Sequence, residues 1–178
     1  MKCRGVRAAA SGRHWLAQDG TGYFGEAGSA RCAHGRVDQS LEVILMQVLH
    51  LKTSRRTQFV DVTEKVQGVV SASKISEGNC YVYVPHTTAG VTINEHADPD
   101  VASDMEGALD RFVPHLGPYR HAEGNSDSHI KATMTGISQV IFVKEGKLAL
   151  GRWQGIFFCE YDGPRDRKFY VKVVGDAR

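Results

Sequence analysis

Five of the eight histidines lie close together in the chain, at His86, His96, His115, His121 and His129, and the same stretch holds eight carboxylates. Imidazoles can act as acids, as bases or as ligands of a borderline metal near neutral pH. His86 follows a strand-like run that stops at Pro85, while His121 and His129 bracket a polar loop. Scaffolds present reactive groups at such strand ends and loops. Three imidazoles from separate loops can hold zinc and leave one position open for water or substrate. No compact His-Glu-x-x-His pattern is present, so any one of these histidines also reads as a surface or hydrogen-bonded structural residue.

Asp98, Asp100 and Asp104 gather where a helix should begin. A favourable interaction with the helix dipole accounts for Asp100 without invoking function, whereas Asp104 lies further from the cap and gains less. Hard oxygen ligands at this point suit Mg²⁺ on a phosphorylated substrate. The run Glu123-Gly124-Asn125-Ser126-Asp127-Ser128-His129-Ile130-Lys131 places donors, a histidine and a lysine around a second helix start, an arrangement that suits a phosphate or carboxylate. Gly151-Arg152-Trp153-Gln154-Gly155 sets a large aromatic between glycines. Trp153 beside Gln154 can stack on a flat ring and bind its edge, or it can be a core Trp with its N–H satisfied. Asp162-Gly163-Pro164-Arg165 is turn chemistry first and an anion-binding arginine second. A P-loop, a Gly-x-Ser-x-Gly elbow, a dinucleotide fingerprint and a Cys/His nucleophile signature are all missing.

These residues need a scaffold, and 178 residues with 42% apolar and 24% charged composition can build one. The net charge of +2 belongs to the N-terminal stretch. Residues 1–45 carry six Lys/Arg against four Asp/Glu, so residues 46–178 hold 16 of each. A neutral body without a basic stripe argues against a nucleic-acid binder. No apolar run is long enough for a membrane helix, and no secretory h-region is apparent, so the expected location is the cytoplasm. Cys3, Cys32, Cys80 and Cys159 form no CxxC pair; Cys80 and Cys159 sit in strand-like runs, where free cysteine packs as a small apolar residue.

Composition changes near residue 46. Residues 1–45 hold 7 of the 19 glycines and lack sustained periodicity, so they read as a disordered extension, or as a mis-called start with translation beginning at Met46. From there the signals are regular. Met46–Thr53 alternates as a strand. Asp61-Val-Thr-Glu64 reads as a capping box, opening a helix with Val62, Val66, Val69 and Val70 on one side that ends near Lys74–Gly78. Asn79–Pro85 is a strand, and Ala89–Asn94 extends it or pairs with it. Asp98-Pro99 starts a helix, with Val101, Met105, Ala108, Leu109 and Phe112 at helical spacing up to Pro114. A polar loop over 114–128 follows, then a short helix capped by Ser128 and running through Thr135. Strands are predicted over Ser138–Lys144, Lys147–Gly151, Gly155–Asp162 and Lys168–Val174, with turns at Glu145-Gly146 and Gly163-Pro164. The fold class is α+β, a single domain with a mostly antiparallel sheet and two or three helices.

Together these segments resemble the YjbQ family, also called secondary thiamine-phosphate synthase. The resemblance rests on His86-Thr87-Thr88-Ala89-Gly90-Val91-Thr92-Ile93-Asn94-Glu95, Asp98-Pro99-Asp100-Val101 with Asp104-Met105, Tyr119 to His121, Glu123-Gly124-Asn125, and Ser128-His129-Ile130-Lys131. It continues through Gly136 with Ser138, Trp153-Gln154-Gly155-Ile156 and Glu160-Tyr161-Asp162-Gly163-Pro164-Arg165, covering about residues 46–175 in order. The family implies a small cytoplasmic homotrimer of unsettled physiological role. Some members are reported to join a pyrimidine pyrophosphate to a thiazole phosphate with loss of pyrophosphate.

Carried onto this sequence, the resemblance implies a divalent metal, zinc or magnesium, on His86, His121 and His129. Asp104 and Glu123 would handle an ion or proton, Lys131 and Arg165 the phosphates, and Trp153 with Gln154 the heterocycle, with Asn94 and Glu95 also on the substrate. Two positions depart from the family pattern. Arg152 replaces the usual threonine before Trp-Gln, adding a cation beside the expected pocket, and Phe142 replaces a proline, harmless in a strand. The same residues would equally serve a non-catalytic trimer that binds a metal or a phosphorylated ligand, or a metal-dependent phosphoester hydrolase.

Overall fold

The computed structural model describes residues 45–176. The expectations for the N-terminal extension and for Cys3 and Cys32 lie outside the described residues. In chain order the elements are β1 (Leu45–Lys52), β2 (Gln58–Asp61), α1 (Thr63–Ser73), β3 (Glu77–Tyr83), β4 (Ala89–Glu95) and α2 (Pro99–Phe112). They continue with α3 (Ser126–Thr135), β5 (Ser138–Lys144), β6 (Lys147–Leu148), β7 (Gln154–Glu160) and β8 (Asp166–Gly175). The fold is α+β, and every strand pairing is antiparallel.

The strands form two sheets where the sequence reading placed one. A five-stranded sheet has the order β1-β8-β3-β5-β6, and a three-stranded sheet has β2-β7-β4. β4 is therefore neither an extension nor a partner of β3; its Val91 lies opposite Phe158 of β7. The reason lies in β7, which is buried from Gly155 to Glu160. A strand buried on both faces reads as a continuous apolar run, and its two faces feed two cores. Ile156 and Phe158 join Val66, Val69 and Val70 of α1 and the inward rows Cys80, Val82, Val171 and Val173 of the larger sheet. Phe157, Cys159 and Tyr161 face the other way, against Phe59 of β2, Ala132 of α3, and Ala102 and Leu109 of α2.

α1 buries the expected valines and ends at Lys74, whose φ of 58° is left-handed. It does not begin with a capping box. Asp61 accepts from the amide of Thr63 at 2.8 Å and from its hydroxyl at 2.6 Å, and the helix enters directly behind Val62. α2 starts as the sequence indicates, with the Asp98 carboxylate accepting from the Asp100 amide. Its buried residue, however, is Glu106, and Phe112 is 80% exposed. α3 begins two residues before the expected cap: Ser128 lies inside the helix, its hydroxyl donating to the carbonyl of Tyr161 at 2.6 Å. The strand expected over Lys147–Gly151 shortens to two residues, because the chain turns away at Leu148–Leu150 and again before Gln154.

A buried ion pair ties the two sheets together. Arg167 of β8 donates to Glu160 of β7 through Nε at 2.7 Å and through its terminal nitrogen at 2.6 Å, and it also reaches the Thr88 hydroxyl at 2.8 Å. Glu160 further accepts from the Thr53 hydroxyl and from the amides of Tyr161 and Asp162. A buried carboxylate is stable only when paired and fully hydrogen-bonded, and Glu160 meets both conditions.

Two histidine-lined hollows and a charged cleft

The residues expected to carry chemistry fall into three places. The first is one end of the three-stranded sheet, where Glu95 lies opposite Gln154 and Asn94 opposite Gly155. Trp153 is exposed there beneath the Arg152 guanidinium, 4.7 Å from the ring centroid, so it is not a core Trp. Gln154 turns its side-chain oxygen to the Gly151 amide at 2.8 Å. The Asn94 amide nitrogen meets the Met105 sulfur, and His96 pairs with Asp61 at 2.8 Å. A Cβ on Gly155 would lie 2.5 Å from the His96 ring, so only glycine permits this approach. Asn94, Glu95, Trp153 and Gln154 are thus brought together. Glu160 lies six positions beyond Gln154 along β7, about 20 Å along the strand, so within one chain they stand far from Arg165.

The second place is a face formed by α3 and the loop before it. His121 and His129 meet edge to face with ring centroids 5.4 Å apart, and His121 Nε2 is 3.6 Å from the Glu123 carboxylate. Both rings border a largely apolar hollow of about 590 Å³ with Tyr119 and Ile130. His129 also borders a second hollow, of about 430 Å³, with His86. His86 Nε2 accepts the Lys168 amide at 3.1 Å, which puts the neutral ring's proton on Nδ1. Burial and the Arg167 charge push the His86 pKa below the ordinary histidine range, outweighing Glu160, which acts in the other direction. Among the described residues no three His, Cys, Asp or Glu side chains are grouped to hold a metal. Within one chain His86, His121 and His129 therefore do not fit a three-ligand site. Asp104 is exposed on α2.

The third place was only partly legible in the sequence. Lys131 is 1% exposed, and its ammonium lies between Asp110 at 2.6 Å and Asp127 at 3.2 Å. Asp127, itself fully buried, also accepts from Arg56 at 2.9 Å and faces His115 Nδ1 at 3.2 Å. Burial alone would raise the Asp127 pKa, but the bonds from His115 and Lys131 and the Arg56 charge outweigh it and hold the carboxyl below its usual range. Arg55 clasps Glu106 through two bonds, at 2.8 and 3.1 Å. Asp162 gathers Arg56, Asn125 and Arg165, the last at 2.6 Å. Lys131 thus reaches carboxylates, and the half-exposed Arg165 is the more accessible of the two expected phosphate cations.

Arg55, Arg56, Asp110 and His115 had no assigned role in the sequence reading. The adjacent arginines in a polar break between apolar runs are a signal for the first two; Asp127 one helical turn before Lys131, on the same helix face, marks the partners of Asp110 and His115 but not those residues themselves. Cys80 and Cys159 are buried free thiols, as expected, with burial pushing Cys80 up to about 12. No helix among the described residues is long and apolar enough to cross a membrane.

The family described as UPF0047 protein YjbQ-like matches residues 47–176. A UPF0047 protein of Methanocaldococcus jannaschii is 52% identical over 126 residues, covering 71% of this chain and 91% of that protein. The UPF0047 protein YugU of Bacillus subtilis is 45% identical over 132 residues, covering 74% of this chain and all of that protein (100%). A crystal structure of a YjbQ/UPF0047 protein from Clostridium acetobutylicum superposes with a TM-score of 0.71 at 54% identity, covering 71% of this chain and 98% of that one. A YbjQ-like protein of unknown function from Sulfolobus solfataricus gives 0.72 at 33% identity, covering 75% and 98%. With the two sheets and three helices of its described residues and the ordered run of residues from His86 to Arg165, the chain belongs to the YjbQ/UPF0047 family.

Proposed function

We propose that this chain is a cytoplasmic transferase of the thiamine-phosphate synthase type, acting on small phosphorylated metabolites as a homotrimer. The carrying observation is the place of His129, which borders the hollow containing His121 on one side and the hollow containing His86 on the other. In the proposed reaction a thiazole ring nitrogen attacks the methylene carbon of a pyrimidinylmethyl pyrophosphate. The C–O bond to pyrophosphate breaks and the leaving group keeps the electron pair. The half-exposed Arg165 can neutralise phosphate charge, Trp153 with Gln154 can meet a flat ring, and Asp104 and Glu123 are the proton or ion handlers of this reading.

A single chain holds His121 and His129 together but not the Trp153 group, so the reading requires neighbouring copies to complete the site. The outer face of the larger sheet supports such an assembly. Met46 and Val48 are exposed on β1 and Tyr81, Tyr83, Val140 and Phe142 on β3 and β5, with Tyr170 and Lys172 of β8 between the two groups, and exposed apolar surface of this kind marks interfaces. A zinc or magnesium ion would likewise take donors from more than one copy.

The test is pyrophosphate release from the two phosphorylated substrates by the purified full chain, with zinc or magnesium added. Wild type is measured beside Asp104→Ala and His129→Ala, with metal content by elemental analysis and mass by light scattering. Turnover lost in both variants supports the transferase reading. Absence of product with every metal overturns it. The incomplete ligand set within one chain favours the second reading in that case, a non-catalytic trimer that binds a metal or phosphorylated ligand, and this requires a metal that His129→Ala releases.

A further inference from the structure

The charged cleft between α2, α3 and the chain before β2 encloses about 510 Å³, a volume within the range of small-molecule sites. Its inner charges neutralise one another. Both Asp127 oxygens accept bonds, the Lys131 ammonium is held by two carboxylates, and Arg56 joins Asp127 to Asp162. Three groups on the rim retain capacity. Asp110, 51% exposed, uses one oxygen for Lys131 and Thr57 and keeps the other free among the described residues. Arg55, 60% exposed, uses one N–H from each terminal nitrogen on Glu106 and keeps its remaining donors free among the described residues. His115, 47% exposed, directs Nδ1 to Asp127, which leaves Nε2 as an acceptor when the ring is neutral.

The rim therefore offers a carboxylate at one point and a guanidinium at another. Arg55 is anchored on Glu106, and Asp110 lies one helical turn further along α2, about 6 Å in rise. A lone anion in this cleft meets the Asp110 carboxylate, and a lone cation meets the Arg55 guanidinium. A molecule that carries both signs on a short spacer meets neither penalty.

We propose that this cleft is a binding site for a small zwitterion, with a protonated amine on Asp110 and a carboxylate or phosphate on Arg55. The site is separate from the histidine face and does not depend on the transferase reading. Isothermal titration of the full chain with O-phosphoethanolamine and with β-alanine tests it, alongside the single-charge probes inorganic phosphate and ethanolamine. One zwitterion should bind at least about tenfold more tightly than either single-charge probe, and the better of the two identifies the anionic group. Asp110→Asn and Arg55→Gln should each weaken that binding by about tenfold or more. In wild type, the His115 ring resonances should shift on addition of the zwitterion, a readout that needs no variant to fold. Phosphate binding as tightly as phosphoethanolamine, failure of both zwitterions at millimolar concentration, or binding that leaves the His115 resonances unmoved each overturns the proposal.

Discussion

Glu160, the last residue of β7, and Arg167, the second residue of β8, are joined by two hydrogen bonds of 2.6 and 2.7 Å in a setting where Glu160 is fully buried and Arg167 is 7% exposed. Seven residues apart in the chain, they belong to different sheets. Among the described residues no strand pairing connects one sheet to the other; this ion pair does, with Thr53 and Thr88 completing its bonds.

Removing one partner leaves the other charge buried and unpaired, which typically costs about 3–5 kcal/mol. Glu160→Gln should therefore lower stability to urea by roughly that amount. Exchanging Arg167 together with Glu160 for apolar residues of similar volume should cost less than the two single changes summed, because no charge is then left unpaired. Equilibrium urea unfolding of the three variants decides the matter. A single variant within experimental error of wild type would remove the pair from any account of how the sheets are held.

Asp127 carries a pH signature. Its folded pKa lies below the unfolded value near 3.9, so its stabilising contribution is fully present above about pH 4 and is lost as pH falls through the folded value. Wild type should lose urea stability faster than Asp127→Asn as pH is lowered from 5 towards 2, while the variant starts from a lower level at pH 7. Parallel stability curves over that window would contradict the assignment.

Gly90 and Gly68 should respond in opposite directions to alanine. A Cβ on Gly90 would lie 2.5 Å from the backbone oxygen of Gly136, where β4 passes the end of α3, and such overpacking costs about 1–3 kcal/mol. Gly68 lies exposed within α1 with nothing within 4 Å of an added Cβ, so alanine there should stabilise by about 0.5–1 kcal/mol. Thermal melts of the two variants provide the check, and a Gly90→Ala protein as stable as wild type would disprove the close approach.

Several features were legible because they are local. The period-two alternation of Ser138–Lys144 is β5 to the residue, and the left-handed pair Glu145-Gly146 turns the chain after it. Asp98-Pro99 starts α2 through a cap whose donor is two residues away. The apolar valines of α1 are buried as their spacing requires. The family resemblance, carried by short ordered motifs, held over residues 47–176.

What escaped the sequence reading depends on partners distant in the chain. Ala89–Glu95 carries a strand signal but nothing that names its sheet; that choice was made by the two-sided burial of β7. Glu106 sits among residues with ordinary helical spacing, and it is buried because Arg55, 51 residues earlier, and the Phe59 amide satisfy its carboxylate. The same holds for Asp127, which needs Arg56, 71 residues away.

Residue order by itself thus determined the α+β class, the bounds of β5 and the start of α2, the buried packing of Cys80 and Cys159, and which family pattern the chain carries. Local backbone preference and apolar periodicity act over a few residues, so they are readable from the chain alone. The tertiary structure decided which charges become buried partners, that His129 would border two hollows while Trp153 stands at the far end of a sheet, and that Arg55 and Asp110 would face one cleft. Charged side chains are stable away from water only beside a partner, and that partner is supplied by the fold.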